Sequence, residues 1–204
     1  MIYSINGERC TSSSRLLVQD TIREEFEAKL IARINNIKVG HPLDPKTEIG
    51  PLVTEEHFNK VTSYFDIANQ DGATIAAGGE TVGDAGYFVR PTLFTKADNK
   101  MRIAQEEIFG PVLSIIPFED EADAIKIAND TPYGLTNYVQ TQDGARRNRM
   151  SLALKSGMVE MNGQDRGAGS PFGGMKMSGR AREGGVWGIE EFLEVKAISG
   201  WAAE

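Results

Sequence analysis

Leu16-Leu17-Val18 is a short apolar run between polar residues and predicts a buried strand over Arg15–Gln19. Asp20 stands where a helix cap is wanted, and Ile22, Phe26, Leu30, Ile34 and Ile37 then recur at helical spacing. Gly40, Pro42 and Pro45 end that helix, because proline lacks an N–H and restrains the residue before it. Thr54 starts a second helix with Phe58, Val61, Phe65 and Ala68 along one side. Extended segments follow at 73–77 and 86–94, and 112–116 reads as a core strand. Glu121–Asn129 is helical, stopped by Asp130-Thr131-Pro132, and the chain returns as a strand at 133–139. A helix at 145–155, a strand at 157–162 and a long glycine-rich loop at 163–185 come next; loops of that length are commonly functional. Residues 192–198 read as a separate edge strand.

Strands alternating with helices predict an α/β fold, a mostly parallel sheet flanked by helices. At 204 residues the chain suits one sizeable domain, expected over 1–185, with 186–204 as a tail carrying the edge strand. A composition 40% hydrophobic and 25% charged is that of a folded soluble protein. The net charge of -7 argues against nucleic acid or an anionic membrane as a partner and leaves a small molecule or a protein. No stretch approaches the roughly 20 apolar residues of a membrane span, and the first residues lack the pattern of a signal peptide. Cys10 is the single cysteine, so no internal disulfide can form and a reducing cytoplasm is the expected location. His41 and His57 lie at ligand spacing neither from Cys10 nor from one another, so no metal site is expected. A Ser-His-Asp hydrolase would need a Gly-x-Ser-x-Gly elbow, which is absent.

By itself a single cysteine is more often a small buried hydrophobe than a nucleophile. Its neighbours, Asn6-Gly7-Glu8-Arg9-Cys10-Thr11-Ser12-Ser13-Ser14, favour a polar, accessible setting. Gly7 permits close backbone approach, and Arg9 can favour a thiolate. Glu107 and Phe109, before the strand at 112–116, read by themselves first as an exposed acid and a core ring. Phe172 reads as core filler or as the wall of a site, and Arg166 as a surface cation or a carboxylate receptor. The segment 167–173 is not a phosphate loop, since Pro171 would sit at the helix entry of a fingerprint that no βαβ unit precedes.

Tyr3 followed by Gly7-Glu8-Arg9-Cys10 resembles the cysteine signature of the aldehyde dehydrogenase superfamily. Ser12 stands where that family carries a smaller residue. Glu106-Glu107-Ile108-Phe109-Gly110-Pro111 resembles its second signature, and Ser170-Pro171-Phe172-Gly173-Gly174-Met175-Lys176 its substrate-tunnel loop. Smaller matches at Gly50-Pro51-Leu52, Tyr133-Gly134-Leu135 and Glu194-Val195-Lys196 extend the resemblance along the whole chain. It implies the catalytic segment of an enzyme that oxidises a small-molecule aldehyde to an acid with NAD or NADP.

The same resemblance implies site roles. Cys10 would be the nucleophile, its backbone N–H half of an oxyanion hole, Glu107 the holder of the nicotinamide ribose, Phe109 the support of the nicotinamide, and Phe172 a wall of the aldehyde site. Segment 163–168 falls in the family's variable specificity loop, so Arg166 is a candidate receptor for an acidic substrate tail. Residues 4–10 resemble the hydroxymuconic semialdehyde dehydrogenase branch. In the family the partnering Asn, the water-activating Glu and the cofactor domain precede the cysteine, where this chain has nine residues, so it is expected to be inactive alone. The segment around 194–198 resembles the strand that extends a neighbouring subunit's sheet, which implies a homo-oligomer. The rival expectation is a non-catalytic subunit or interaction module that retains the fold.

Overall fold

In the computed structural model, which describes residues 2–202, the strand Val112–Phe118 is the centre of the first half of the chain. Its sequence explains the position: Val112, Leu113, Ser114, Ile115 and Ile116 are all buried, as a strand covered on both faces must be. Alternate residues serve opposite cores. Val112 and Ile116 join a cluster with Val61, Phe65, Phe94 and Ile108, whereas Leu113 and Ile115 join one with Val18, Ile34 and Leu93.

In chain order the elements are β1 (Arg15–Gln19), α1 (Arg23–Asn35), α2 (Glu55–Asp71), β2 (Thr74–Ala77), β3 (Thr92–Thr95), α3 (Arg102–Gln105), β4 (Val112–Phe118), α4 (Glu121–Asn129), β5 (Tyr133–Gly134), β6 (Thr136–Val139), α5 (Gly144–Ala153), β7 (Met158–Met161), β8 (Met175–Lys176) and α6 (Gly185–Glu190). The chain divides into two compact units, 1–132 and 133–204. That differs from the expected division at 185.

The first unit holds a four-stranded sheet in the order β1-β4-β3-β2. β1 and β3 run parallel to β4, and β2 closes the edge antiparallel to β3. This is the mostly parallel α/β sheet that the alternation of elements predicts. Thr54 caps α2 as expected, its hydroxyl accepting from the His57 N–H at 3.2 Å, and Gly72 ends the helix in the left-handed region. Asp20 does not cap α1. It lies inside a 3-10 turn, Asp20–Ile22, and its carboxylate meets Arg23 Nε at 3.1 Å.

In the second unit the expected strand over 133–139 is broken at Leu135. Its first part, β5, pairs antiparallel with β8, and β6 pairs parallel with β7. The loop at 163–185 carries structure that its glycines conceal. Phe172 and Glu183 exchange backbone hydrogen bonds of 2.7 Å in both directions, and a Cβ at Gly157 would lie 1.9 Å from the Gly173 carbonyl oxygen. The short helix α6 was not expected at all. The edge strand expected at 192–198 has no sheet partner among the described residues, and its side chains are exposed. No helix among the described residues is long and apolar enough to cross a membrane.

Candidate active site

Cys10 sits on an exposed turn, held by a hydrogen bond of 2.9 Å from the Ser12 N–H to the Arg9 carbonyl. The turn is reached through a tight 3-10 segment, Ile5–Gly7, in which Asn6 takes a left-handed backbone at φ 55°. Asn6 tolerates this better than most residues, and its side chain is fully used: Oδ1 accepts from the Gly50 N–H at 2.9 Å and Nδ2 donates to the Pro51 carbonyl at 2.9 Å. Gly7, at φ 72°, lies so close to Gly110 that a Cβ would fall 2.1 Å from the Gly110 carbonyl oxygen. The close approach expected of Gly7 is therefore to the loop of Glu107 and Phe109.

The cysteine loop and the 107–111 loop thus back directly onto one another. Phe109 is half-buried and holds φ 61°, an uncommon region for a bulky side chain. Glu107 is exposed; its backbone carbonyl accepts from Lys60 Nζ at 2.7 Å, and among the described residues its carboxylate has no protein partner. A free carboxylate beside a fixed ring can take the hydroxyls of a ribose, so the donor set fits the expected cofactor. Arg9 is exposed and forms no ion pair among the described contacts.

His57, which sequence spacing set aside, lies between the two loops. Its Nε2 is 2.7 Å from the Phe109 carbonyl oxygen and 3.6 Å from Glu8 Oε1. Glu8 also accepts from the Val53 N–H at 3.0 Å. No local signal marked His57, because its partners lie 52 positions later in one direction and before Cys10 in the other.

The remaining candidates, Arg166 and Phe172, belong to the second unit and meet there. The Arg166 guanidinium carbon lies 5.0 Å from the centroid of the Phe172 ring, and its Nε donates to Glu160 Oε1 at 3.2 Å. Behind them Arg182 Nη1 donates to the carbonyls of Gly174, Arg180 and Ala181 and pins the loop's turn. No group of three His, Cys, Asp or Glu side chains able to hold a metal ion occurs among the described residues.

The exposed Cys10 thus stands on a loop that is backed by a second loop offering a free acid and an aromatic ring, on an α/β sheet. The model of the aldehyde dehydrogenase family matches residues 1–198, and the chain belongs to that family. HpcC of Thermus thermophilus is 48% identical, with a TM-score of 0.90 over 93% of this chain and 38% of its own. An aldehyde dehydrogenase of Bartonella henselae is 44% identical with a TM-score of 0.91, over 96% of this chain and 42% of its own. Betaine aldehyde dehydrogenase of Staphylococcus aureus, solved in complex with NAD+, is 40% identical with a TM-score of 0.89, over 98% and 42%. A Staphylococcus saprophyticus relative named as an aldehyde dehydrogenase is 44% identical over 198 residues, and the chain spans 42% of its length.

Proposed function

We propose that the chain is the catalytic segment of an NAD- or NADP-dependent aldehyde dehydrogenase with Cys10 as nucleophile. The observation that carries this reading is the direct backing of the Cys10 loop by the loop of Glu107 and Phe109, with no room for even a methyl group at Gly7. Two segments a hundred residues apart are registered at backbone contact, as joint action on one substrate and cofactor would require.

In this reading the Cys10 thiolate attacks the aldehyde carbon and forms a thiohemiacetal, whose oxygen is met by the Cys10 backbone N–H. When bound, the nicotinamide cofactor supplies the acceptor for the hydride that leaves that carbon. The Cys10 thioester that remains is hydrolysed by water, which releases the acid and regenerates the thiolate. Glu107 holds the cofactor's ribose by charge-assisted hydrogen bonds, and the Phe109 ring supports the nicotinamide. By the family resemblance Phe172 would be a wall against the aldehyde. Arg166, its guanidinium carbon 5.0 Å from the centre of the Phe172 ring, would take an acidic substrate tail through its two Nη groups, in keeping with the branch that residues 4–10 resemble.

The test on this chain is the rate of Cys10 alkylation by iodoacetamide against pH, followed by mass spectrometry. Fast reaction with a midpoint well below the free-thiol value of about 8.5 supports an activated nucleophile. A folded chain whose Cys10 reacts slowly, with an ordinary midpoint, argues against it. For the substrate, Arg166→Ala in an enzyme containing this segment should lower selectivity for a carboxylated over a neutral aldehyde; unchanged selectivity would remove Arg166 from the site.

A second reading, a non-catalytic interaction module, has one observation in its favour. Residues 186–201 expose Trp187, Phe192, Leu193, Val195 and Ile198 together. If Cys10→Ser in an enzyme containing this segment left aldehyde-dependent reduction of the cofactor intact, this reading would replace the first.

A further inference from the structure

We propose that His57 is a positioning residue that ties the cysteine loop to the loop of Glu107 and Phe109, its Nε2–H donating to the Phe109 carbonyl while the same edge of the ring faces the Glu8 carboxylate. What the two loops do rests on the dehydrogenase reading; that His57 couples them does not.

The carbonyl of Phe109 can only accept, so at 2.7 Å the proton lies on Nε2. The same N–H faces Glu8 Oε1 at 3.6 Å, and the two side chains are 14% exposed each. At such low exposure each needs the other's polarity. Glu8 is itself fixed, Oε1 by the Val53 N–H and Oε2 by Asn6 Nδ2 at 3.4 Å. His57 is fixed in turn by the first turn of α2, where its own N–H is capped by Thr54.

Phe109 is where the coupling is needed. A bulky residue at φ 61° is strained and keeps that conformation only where its surroundings impose it. Three groups do so here. His57 holds its carbonyl, Gly7 packs against the following residue without a Cβ, and the Val61 methyls close the other side, where a Cβ on Gly110 would fall 2.7 Å away. The His57 ring meets the Phe109 ring edge-on at 6.2 Å, so backbone and side chain of Phe109 are oriented by the same residue. Removing His57 would therefore release Phe109 on one side and Glu8, two residues before Cys10, on the other.

Amide hydrogen exchange on the full chain tests this with wild type, His57→Ala and His57→Gln, residue by residue. His57→Ala should speed exchange of the Glu8 and Val53 amides, held by the Ile5 carbonyl and the Glu8 carboxylate, and of the Val112 amide, held by the Gly110 carbonyl, about tenfold, as loss of one well-made hydrogen bond would. The α2 amides from Val61 to Ala68 should keep wild-type protection. Glutamine can donate to the same carbonyl, so His57→Gln should return the Val112 amide to within about twofold of wild type. Unchanged exchange in either loop of His57→Ala, or no rescue by glutamine, overturns the proposal. So does imidazole nitrogen NMR of the wild-type chain at neutral pH, should it find Nε2 without a proton, a result that needs no variant to fold. The alkylation of Cys10 judges the dehydrogenase reading separately, so each can fail without the other.

Discussion

Gly7 and Gly110 touch: a Cβ on Gly7 would lie 2.1 Å from the Gly110 carbonyl oxygen and 2.2 Å from its carbon. The contact joins the two loops that carry Cys10 and Phe109. Gly7→Ala must move one backbone away from the other, and alanine is also strained at φ 72°. The expected loss of stability is about 2 kcal/mol, read as a lower midpoint in urea at unchanged slope. Cys10 alkylation in the same variant should change its pH profile; a variant with wild-type stability and profile would mean that the loops are not registered through Gly7.

Arg15 supports the same sheet from its other edge. Its Nη1 donates to Asn99 Oδ1 at 2.6 Å and to the Ile127 carbonyl at 3.0 Å, and its Nη2 to the Ala128 carbonyl at 3.0 Å. Burial pulls its pKa below the ordinary value, and the charge of Asp130 works against that shift. Arg15→Met removes the charge and takes the guanidinium donors from the Ile127 and Ala128 carbonyls and from Asn99. We expect a loss of about 3 kcal/mol, which in a chain of this size lowers the thermal midpoint by roughly 6 °C or more. A shift below about 2 °C in calorimetry would show that water replaces the guanidinium without cost.

Acid should weaken the fold through three carboxylates. Hydrogen bonds from Arg102 hold Asp71 below its ordinary value, those from Arg33 and the Lys38 N–H do the same for Glu48, and the Arg146 and Ala145 N–H groups do so for Asp143. A depressed folded-state pKa contributes stability above the unfolded value, about 4, which is lost as pH falls through the folded value. The urea midpoint should therefore be flat near neutrality and drop below about pH 4. Asp71→Asn should be less stable at pH 7 and less sensitive to acid, and an unchanged acid slope would exclude Asp71 as a contributor.

The exposed segment at 192–198 gives the fourth expectation. Val195 is fully exposed and Phe192 is 90% exposed, with no sheet pairing among the described residues. As the assembly element that the family resemblance implies, this segment should drive self-association, and Val195→Asp with Phe192→Asp should shift sedimentation toward monomer. A wild-type chain that stays monomeric at high concentration would count against it.

Local signals determined much of this protein. Val112–Phe118 was legible because a central strand is apolar on both faces, Glu121–Asn129 because Asp130-Thr131-Pro132 stops it, and the start of α2 because Thr54 opens it after a proline-rich break. Cys10, Glu107, Phe109 and Phe172 could be proposed from the sequence because the motifs they resemble are contiguous. What tertiary structure alone decided joins residues far apart: Asn6 to Pro51 across 45 positions, Arg15 to Asn99 across 84, and His57 to Phe109 across 52. Such bonds depend on where the packed sheet and helices bring the chain. The break at Leu135 has the same origin, since alternation shows that residues 133–139 are extended but not which partners they take. Periodicity reports the face a residue turns to the core; only the folded chain supplies the carbonyl or carboxylate that its polar atoms meet there.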